Sequence, residues 1–258
     1  MKTKFLIALI VACISAALFV THLQANSDEP TEDCNRGPRP GTSDFFQKIR
    51  ESDEELRRNG FLRACERNLA RYALDFRRIN LSPASLDFTP VDIRNTPFAD
   101  LTSRGSMIED VNQVRSRLYR GFHSPEAGNV TLLEWDMSAD GSSIGPPVGG
   151  QDEHIHGFPA RLTVLEAPSR KAVSLLYWTE GRRYYELWVD SNVHRTAKKD
   201  WLLALAASLP PSVPACPNEI VPEPFQLDAT GTPLLAPTPA TMTEEEWNKR
   251  FPSPRPCK

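Results

Sequence analysis

Residues 172–190 read AVSLLYWTEGRRYYELWVD, a strand, a tight turn and a second strand. Two runs rich in Val, Leu, Tyr and Trp flank Glu180-Gly181, which marks a β-hairpin whose glycine takes a positive φ. In the first run, Val173, Leu175 and Tyr177 share one face and Ser174, Leu176 and Trp178 the other. Large apolar groups on both faces imply a sheet covered on both sides. Asn129 to Met137 and Ala160 to Glu166 read as further strands beside Ala172 to Thr179 and Arg183 to Asp190. Their short links, rich in Gly, Pro, Ser or Arg, require an antiparallel arrangement. After the last strand, Thr196 is placed to cap a helix from Ala197 to Leu209. Its Trp201, Leu202, Leu205, Ala206 and Leu209 form one apolar stripe. The expected fold class is therefore α+β: an antiparallel β-meander with packed helices, occupying residues 81–209.

Two regions flank this domain. In residues 26–80 an acidic leader precedes a helix capped by Ser43, apolar at Phe46, Ile49 and Leu56, and ended at Gly60. A second helix is expected from the spacing of Leu62, Cys65, Leu69, Tyr72 and Phe76, with Arg63, Glu66, Arg67, Arg71 and Arg78 on its solvated face. Together they make an N-terminal helical hairpin, and this hairpin or a partner is available to cover the second sheet face. Residues 210–258 hold twelve of the 23 prolines, too many for a sheet or long helix. This Pro-rich C-terminal extension is expected to contain one short helix, Glu244 to Arg250, opened by the capping box at Thr243.

At the other end, Lys2 and Lys4 precede an apolar run from Phe5 to Val20, the layout of a secretory signal over residues 1–25. The run is shorter than the ~20 residues that cross a bilayer comfortably, which favours a cleaved signal. Cleavage after Ala25, an uncleaved anchor, and a lipidated Cys13 in a lipobox-like Ile10-Val11-Ala12-Cys13 all stay open, and the last two would attach the chain to a membrane. Without residues 1–25 the chain carries 28 basic and 33 acidic side chains, a net charge of −5, which argues against nucleic acid as a partner. Cys34, Cys65, Cys216 and Cys257 are an even set, and in an oxidising compartment two disulfides are expected. Of the three connectivities, Cys34 with Cys65 and Cys216 with Cys257 staples each poorly apolar end region onto itself.

Three patterns bear on chemistry. Gly141-Ser142-Ser143-Ile144-Gly145 satisfies the G-x-S-x-G nucleophile-elbow pattern, but Ser138-Ala139-Asp140 separates it from the strand and Pro146-Pro147 follows it. An elbow needs a strand directly before and a helix directly after, so a surface loop is the better account. Asp152, His154 and His156 fall on one face if they open a strand, and two imidazoles with a carboxylate suit a transition metal. No third histidine is near, and polar residues at a strand entrance explain them without a metal or other cofactor. Trp178, Arg182, Arg183, Tyr184 and Trp188 surround the hairpin, and these are the residue types enriched at binding hot spots. Core packing explains many such aromatics, so only those left exposed count as a binding surface.

His156-Gly157-Phe158-Pro159-Ala160, Leu176-Tyr177-Trp178 with Tyr184, and Ala206-Ala207-Ser208-Leu209 reproduce a G-x-P-A, L-x-W, Y, A-x-S-L run. This run resembles that of exported bacterial envelope proteins, among them periplasmic immunity proteins such as type VI secretion lipase-effector immunity proteins. It lies within residues 156–209, about a fifth of the chain, and the cysteine-bearing N-terminal region and Pro-rich tail have no counterpart in it. The resemblance implies a bacterial, periplasmic, non-enzymatic binding protein whose partner is a secreted toxin. Two other classes stay open, an envelope-assembly or sorting factor that uses its sheet as a platform, and a metal- or serine-dependent hydrolase.

Overall fold

Two three-stranded meanders meet edge to edge in the computed structural model, which describes residues 45–78, 81, 85–111, 113–142, 144 and 153–212. The first meander is β2 (Thr102–Val111), β3 (Val114–Ser124) and β4 (Gly128–Asp136). The second is β6 (Phe158–Glu166), β7 (Ala172–Glu180) and β8 (Arg183–Val189). β4 pairs antiparallel with β8, giving one sheet in the order β1-β6-β7-β8-β4-β3-β2. A two-residue β1 (Leu62–Arg63) runs parallel to the end of β6, and a short β5 (Glu153–Ile155) pairs with its start. The mixed, mostly antiparallel architecture agrees with the sequence reading. β7 and β8 turn at Gly181, whose φ is +60°, as the hairpin pattern requires.

The face carrying Leu132, Leu162, Leu176, Trp178, Tyr185, Leu187 and Val189 forms the larger core. α4 (Lys199–Ala207) covers it with Leu202, Leu205 and Ala206, joined by Val91 and Phe98 from the segment before β2. Each fully buried aliphatic side chain here contributes about 1.5–3 kcal/mol. Thr196 does not cap α4. Its hydroxyl donates to Asn192 O at 3.1 Å, and the helix begins three residues later.

α1 (Phe45–Asn59) ends at Gly60, whose φ of +74° and bond to Leu56 O at 2.7 Å are those of the expected glycine stop. Its Asp53 is buried and meets Arg161 of β6 at 2.6 Å, which ties the helix to the sheet. The second helix of the expected hairpin is only α2 (Glu66–Ala70). Beyond it the chain runs extended, and Arg77 pairs with Ser106 on the outer edge of β2. Tyr72, Leu74 and Phe76 fit period two as well as the helical spacing of Leu69, Tyr72 and Phe76, and the sheet face decides between them. Tyr72 and Leu74 pack on the smaller core of Leu133, Trp135, Val173, Leu175 and Trp188, and Phe76 lies over Gly121. Cys65 is buried and disulfide-bonded. Cys34, Cys216 and Cys257, the apolar run of residues 5–20 and the expected helix at Glu244 lie outside the described residues. Among the described residues no helix is long and apolar enough to cross a membrane.

At the junction of the meanders stands Glu134 on β4, fully buried. Oε1 accepts from Arg183 Nη1 of β8 at 2.7 Å, and Oε2 from Arg120 Nη2 of β3 at 2.9 Å. The Val91 amide donates to both oxygens at 3.0 and 3.1 Å. The same guanidiniums reach on to the covering segment, Arg120 to Val91 O and Arg183 to Thr89 O. Glu134→Gln leaves the buried Arg120 without its counter-charge and Arg183 with only Asp136 at 3.1 Å, and this should lower the unfolding free energy by about 3–5 kcal/mol in a urea titration. Arg94→Ala, which removes only the exposed pair with Asp92, should leave the urea midpoint in place.

The close fit of Phe76 is testable in the same way. A Cβ on Gly121 would stand 2.4 Å from the Phe76 ring, well inside van der Waals contact. Gly121→Ala should therefore cost about 1–3 kcal/mol. The same substitution in a Phe76→Leu background should cost much less, and equal costs in the two backgrounds would show that the ring does not set the spacing.

Candidate functional site

Four of the five hairpin residues expected at a binding surface are inside the fold. Trp178, Arg182, Arg183 and Trp188 are buried, and Tyr184 is partly buried. The sheet order explains their burial, because β8 has β4 on its other side and both strands are central. Trp178 stacks on Tyr185 at 5.0 Å and donates to Glu180. Arg182 donates to Met137 O and Ser142 O, and Arg183 serves Glu134 while lying over the Phe88 ring. These arginines bind the fold together from within.

The metal candidates also separate. Asp152 lies outside the described residues, and His154 is exposed on β5. His156 is not on that strand but in the two-residue turn with Gly157, at φ values of +52° and +83°, so the two imidazoles do not share a strand face. Both ring nitrogens of His156 are engaged, Nδ1 with Glu180 Oε1 at 2.7 Å and Nε2 with Ala207 O at 3.0 Å. A carboxylate and a carbonyl both accept, so the imidazolium, with a proton on each nitrogen, is the form that satisfies both contacts. Partial burial lowers its pKa, but the Ala207 and Glu180 bonds outweigh this and the net shift is upward. Among the described residues no group of three His, Cys, Asp or Glu side chains is placed to hold a metal.

In the G-x-S-x-G stretch, Ser143 and Gly145 lie outside the described residues. The strand before it leads into one helical turn, α3 (Met137–Asp140), which Gly141 ends at a φ of +76°. The nearby Asp140 carboxylate accepts from Ser116, from Trp135 Nε1 and from the Ser142 amide. It is an anchor for the loop.

The residues that do converge lie on the face opposite the larger core. One row across the sheet runs Tyr119, Leu133, Glu186, Tyr177 and Arg161, each opposite the next on adjacent strands from β3 to β6. Tyr184 and Trp188 flank Glu186 on its own strand, and Tyr72 comes from the turn after α2. Tyr72 and Tyr119 meet the Trp188 ring edge-on at 5.5 and 6.1 Å, and Tyr184 meets Trp135 and Tyr177 at 6.0 and 6.3 Å. Tyr72, Tyr119, Tyr177, Tyr184 and Glu186 are all partly buried, the walls and floor of an aromatic recess. Burial raises every one of the four tyrosine hydroxyls, and the charge of Glu186 adds to each. The Glu186 carboxyl is itself pushed up to about 7 by burial, against the Tyr184 bond and the charges of Arg71 and Arg117.

Of this recess the hot-spot reading included only Tyr184 and Trp188. Yet the alternation of Tyr184, Glu186 and Trp188 already sets a carboxylate between two aromatics on one strand face. Tyr119 comes from a strand whose character was hidden, and Tyr72 from the turn that follows α2. No family model, curated protein or solved structure matches the chain.

The imidazolium of His156 yields a signed pH dependence. Its folded pKa is raised, so its contribution to stability is complete below the unfolded value of about 6.5 and is lost as pH rises through the folded value. The difference in urea midpoint between the wild type and His156→Gln should be largest near pH 6 and shrink towards pH 8.5. A difference that grows with pH would refute the two-donor assignment.

Proposed function

We propose that this chain is an exported binding protein of the bacterial periplasm, an immunity protein that blocks an antibacterial toxin through the aromatic cluster around Glu186 on its sheet. The observation that carries this reading is the recess: four partly buried tyrosines at the centre of a sheet face whose opposite side is closed by α4. Tyrosine and tryptophan offer large, rigid contact area at little entropic cost, which is why they anchor protein interfaces. The carboxylates outside the recess support the reading from another side. Glu134, Asp136, Asp140, Glu166 and Glu180 each hold backbone amides, indoles, an imidazole or guanidiniums within the fold. The N-terminal signal pattern, the four cysteines expected as two disulfides, and the resemblance of residues 156–209 agree with a periplasmic setting.

The test is binding and protection together. The exported chain should form a complex with the product of an adjacent toxin gene, with an affinity on the order of nanomolar. Its co-expression should restore growth to cells in which that toxin is directed to the periplasm. Absence of a complex, together with hydrolysis of ester or amide probes by the purified chain, would overturn the reading.

A further inference from the structure

From the recess we infer a more specific role, which rests on the binding reading above: its floor is a receptor for one organic cation, the lysine or arginine side chain of the protein partner. Glu186 occupies the middle row of the sheet face on a central strand, a place that apolar side chains fill at Leu133 next door and Leu187 on the reverse. Its one hydrogen bond is accepted from Tyr184 Oη at 3.4 Å. Oε1 has no partner among the described residues, and it is not sealed from solvent. A carboxylate drawn into a protein ordinarily gains a cation or several donors.

Two of the three cations around it are matched by other carboxylates, and the third, Arg71, is held by a tyrosine. Arg117 pairs with Glu109 at 3.2 Å and lies 4.0 Å over the Trp135 ring. Arg161 pairs with Asp53 at 2.6 Å. Arg71, at the rim, donates to Tyr72 Oη at 2.7 Å and sits over that ring. Among the described residues none of the three reaches ion-pair distance of Glu186. The carboxylate at the floor therefore has no ion pair among the described residues, only the more distant charges of Arg71 and Arg117, and the walls around it are tyrosine. An ammonium or guanidinium entering the recess would meet the carboxylate with its charge, while the tyrosines would flank its alkyl stem and present π faces to it.

Cation binding favours the ionised carboxylate, so affinity should follow Glu186 ionisation. The other groups facing it are Tyr184, Tyr177, Tyr119 and Tyr72, whose hydroxyls burial raises above their ordinary range, and beyond them the guanidiniums of Arg71, Arg117 and Arg161 and the carboxylates of Asp53 and Glu109. With a carboxyl near pH 7, the ionised fraction rises from about a tenth at pH 6 to about nine-tenths at pH 8.

The full chain titrated with n-butylammonium and n-propylguanidinium should give saturable shifts of the Trp188 and Trp135 indole NMR signals. Affinity should rise about tenfold from pH 6 to pH 8, and n-butanol should give no saturable shift. Glu186→Gln should abolish the effect while raising the urea midpoint at pH 8, because it removes a buried charge. No saturable shift, equal binding of the alcohol, or unchanged binding by Glu186→Gln would overturn the inference. With the toxin as ligand, Glu186→Gln should weaken the complex at least tenfold, as should replacing one partner lysine or arginine by methionine. A tight complex indifferent to both changes would overturn the cation receptor and leave the immunity reading standing. Probe binding without any toxin complex would overturn the immunity reading, and with it the assignment of the cation to a protein partner.

Discussion

The carboxylate of Glu134 is the joint on which the sheet depends. Each three-stranded meander has apolar groups on both faces, and β4 and β8 are the strands through which they merge. Glu134 takes a guanidinium from each meander, and the Val91 amide brings in the segment that closes the core above them. A well-packed apolar residue would hold these pieces together about as strongly. What the ion cluster adds is register. A slip of one residue between β4 and β8 would carry Glu134 or Arg183 to the opposite face and strand a buried charge. Pairings other than the observed one are thereby penalised, and the two meanders have one way to meet.

That same cluster explains which strands were legible. β4, β6, β7 and β8 announce themselves through Val, Leu, Tyr and Trp on both faces, and the hairpin at Gly181 follows from its turn chemistry. β2 and β3 did not, because Arg104, Glu109, Arg117 and Arg120 break the apolar alternation. Arg120 is buried, yet nothing in its own neighbourhood says so. Its reason is Glu134, 14 residues further on and in place only once β3 and β4 have paired. Propensity failed for another reason after Ala70, where Tyr72, Leu74 and Phe76 satisfy two periods and only the sheet face, with room above Gly121, selects the extended one.

The candidate site was read in part, and the error is instructive. Composition drew attention to the hairpin arginines and tryptophans, which are hot-spot residue types. Position in the sheet then buried them, because a hairpin at the centre of a sheet has no free flank. At His156 the histidines were taken for strand residues sharing a face, whereas the turn at His156-Gly157 sends one ring to Glu180 and Ala207. Glu180 thereby gathers the β5–β6 turn, the end of α4 and the Ser212 amide around one carboxylate. These are decisions of tertiary structure, and each is made by a carboxylate whose partners are distant in sequence.

Glu134 and Glu186 occupy neighbouring rows on opposite faces of the same sheet: Glu134 stands opposite Tyr185, and Leu133 opposite Glu186. One is enclosed by two guanidiniums and an amide. The other has a single long bond to a tyrosine and an oxygen still open, and burial holds its carboxyl near neutrality. Packing alone would favour leucine at the second position, since an unpaired charge there opposes folding at every pH above its unfolded pKa. The two sites therefore differ in kind. At Glu134 the fold supplies the cations, so the carboxylate serves stability and register; at Glu186 the described residues supply aromatic neighbours and the more distant charges of Arg71 and Arg117, but no ion pair.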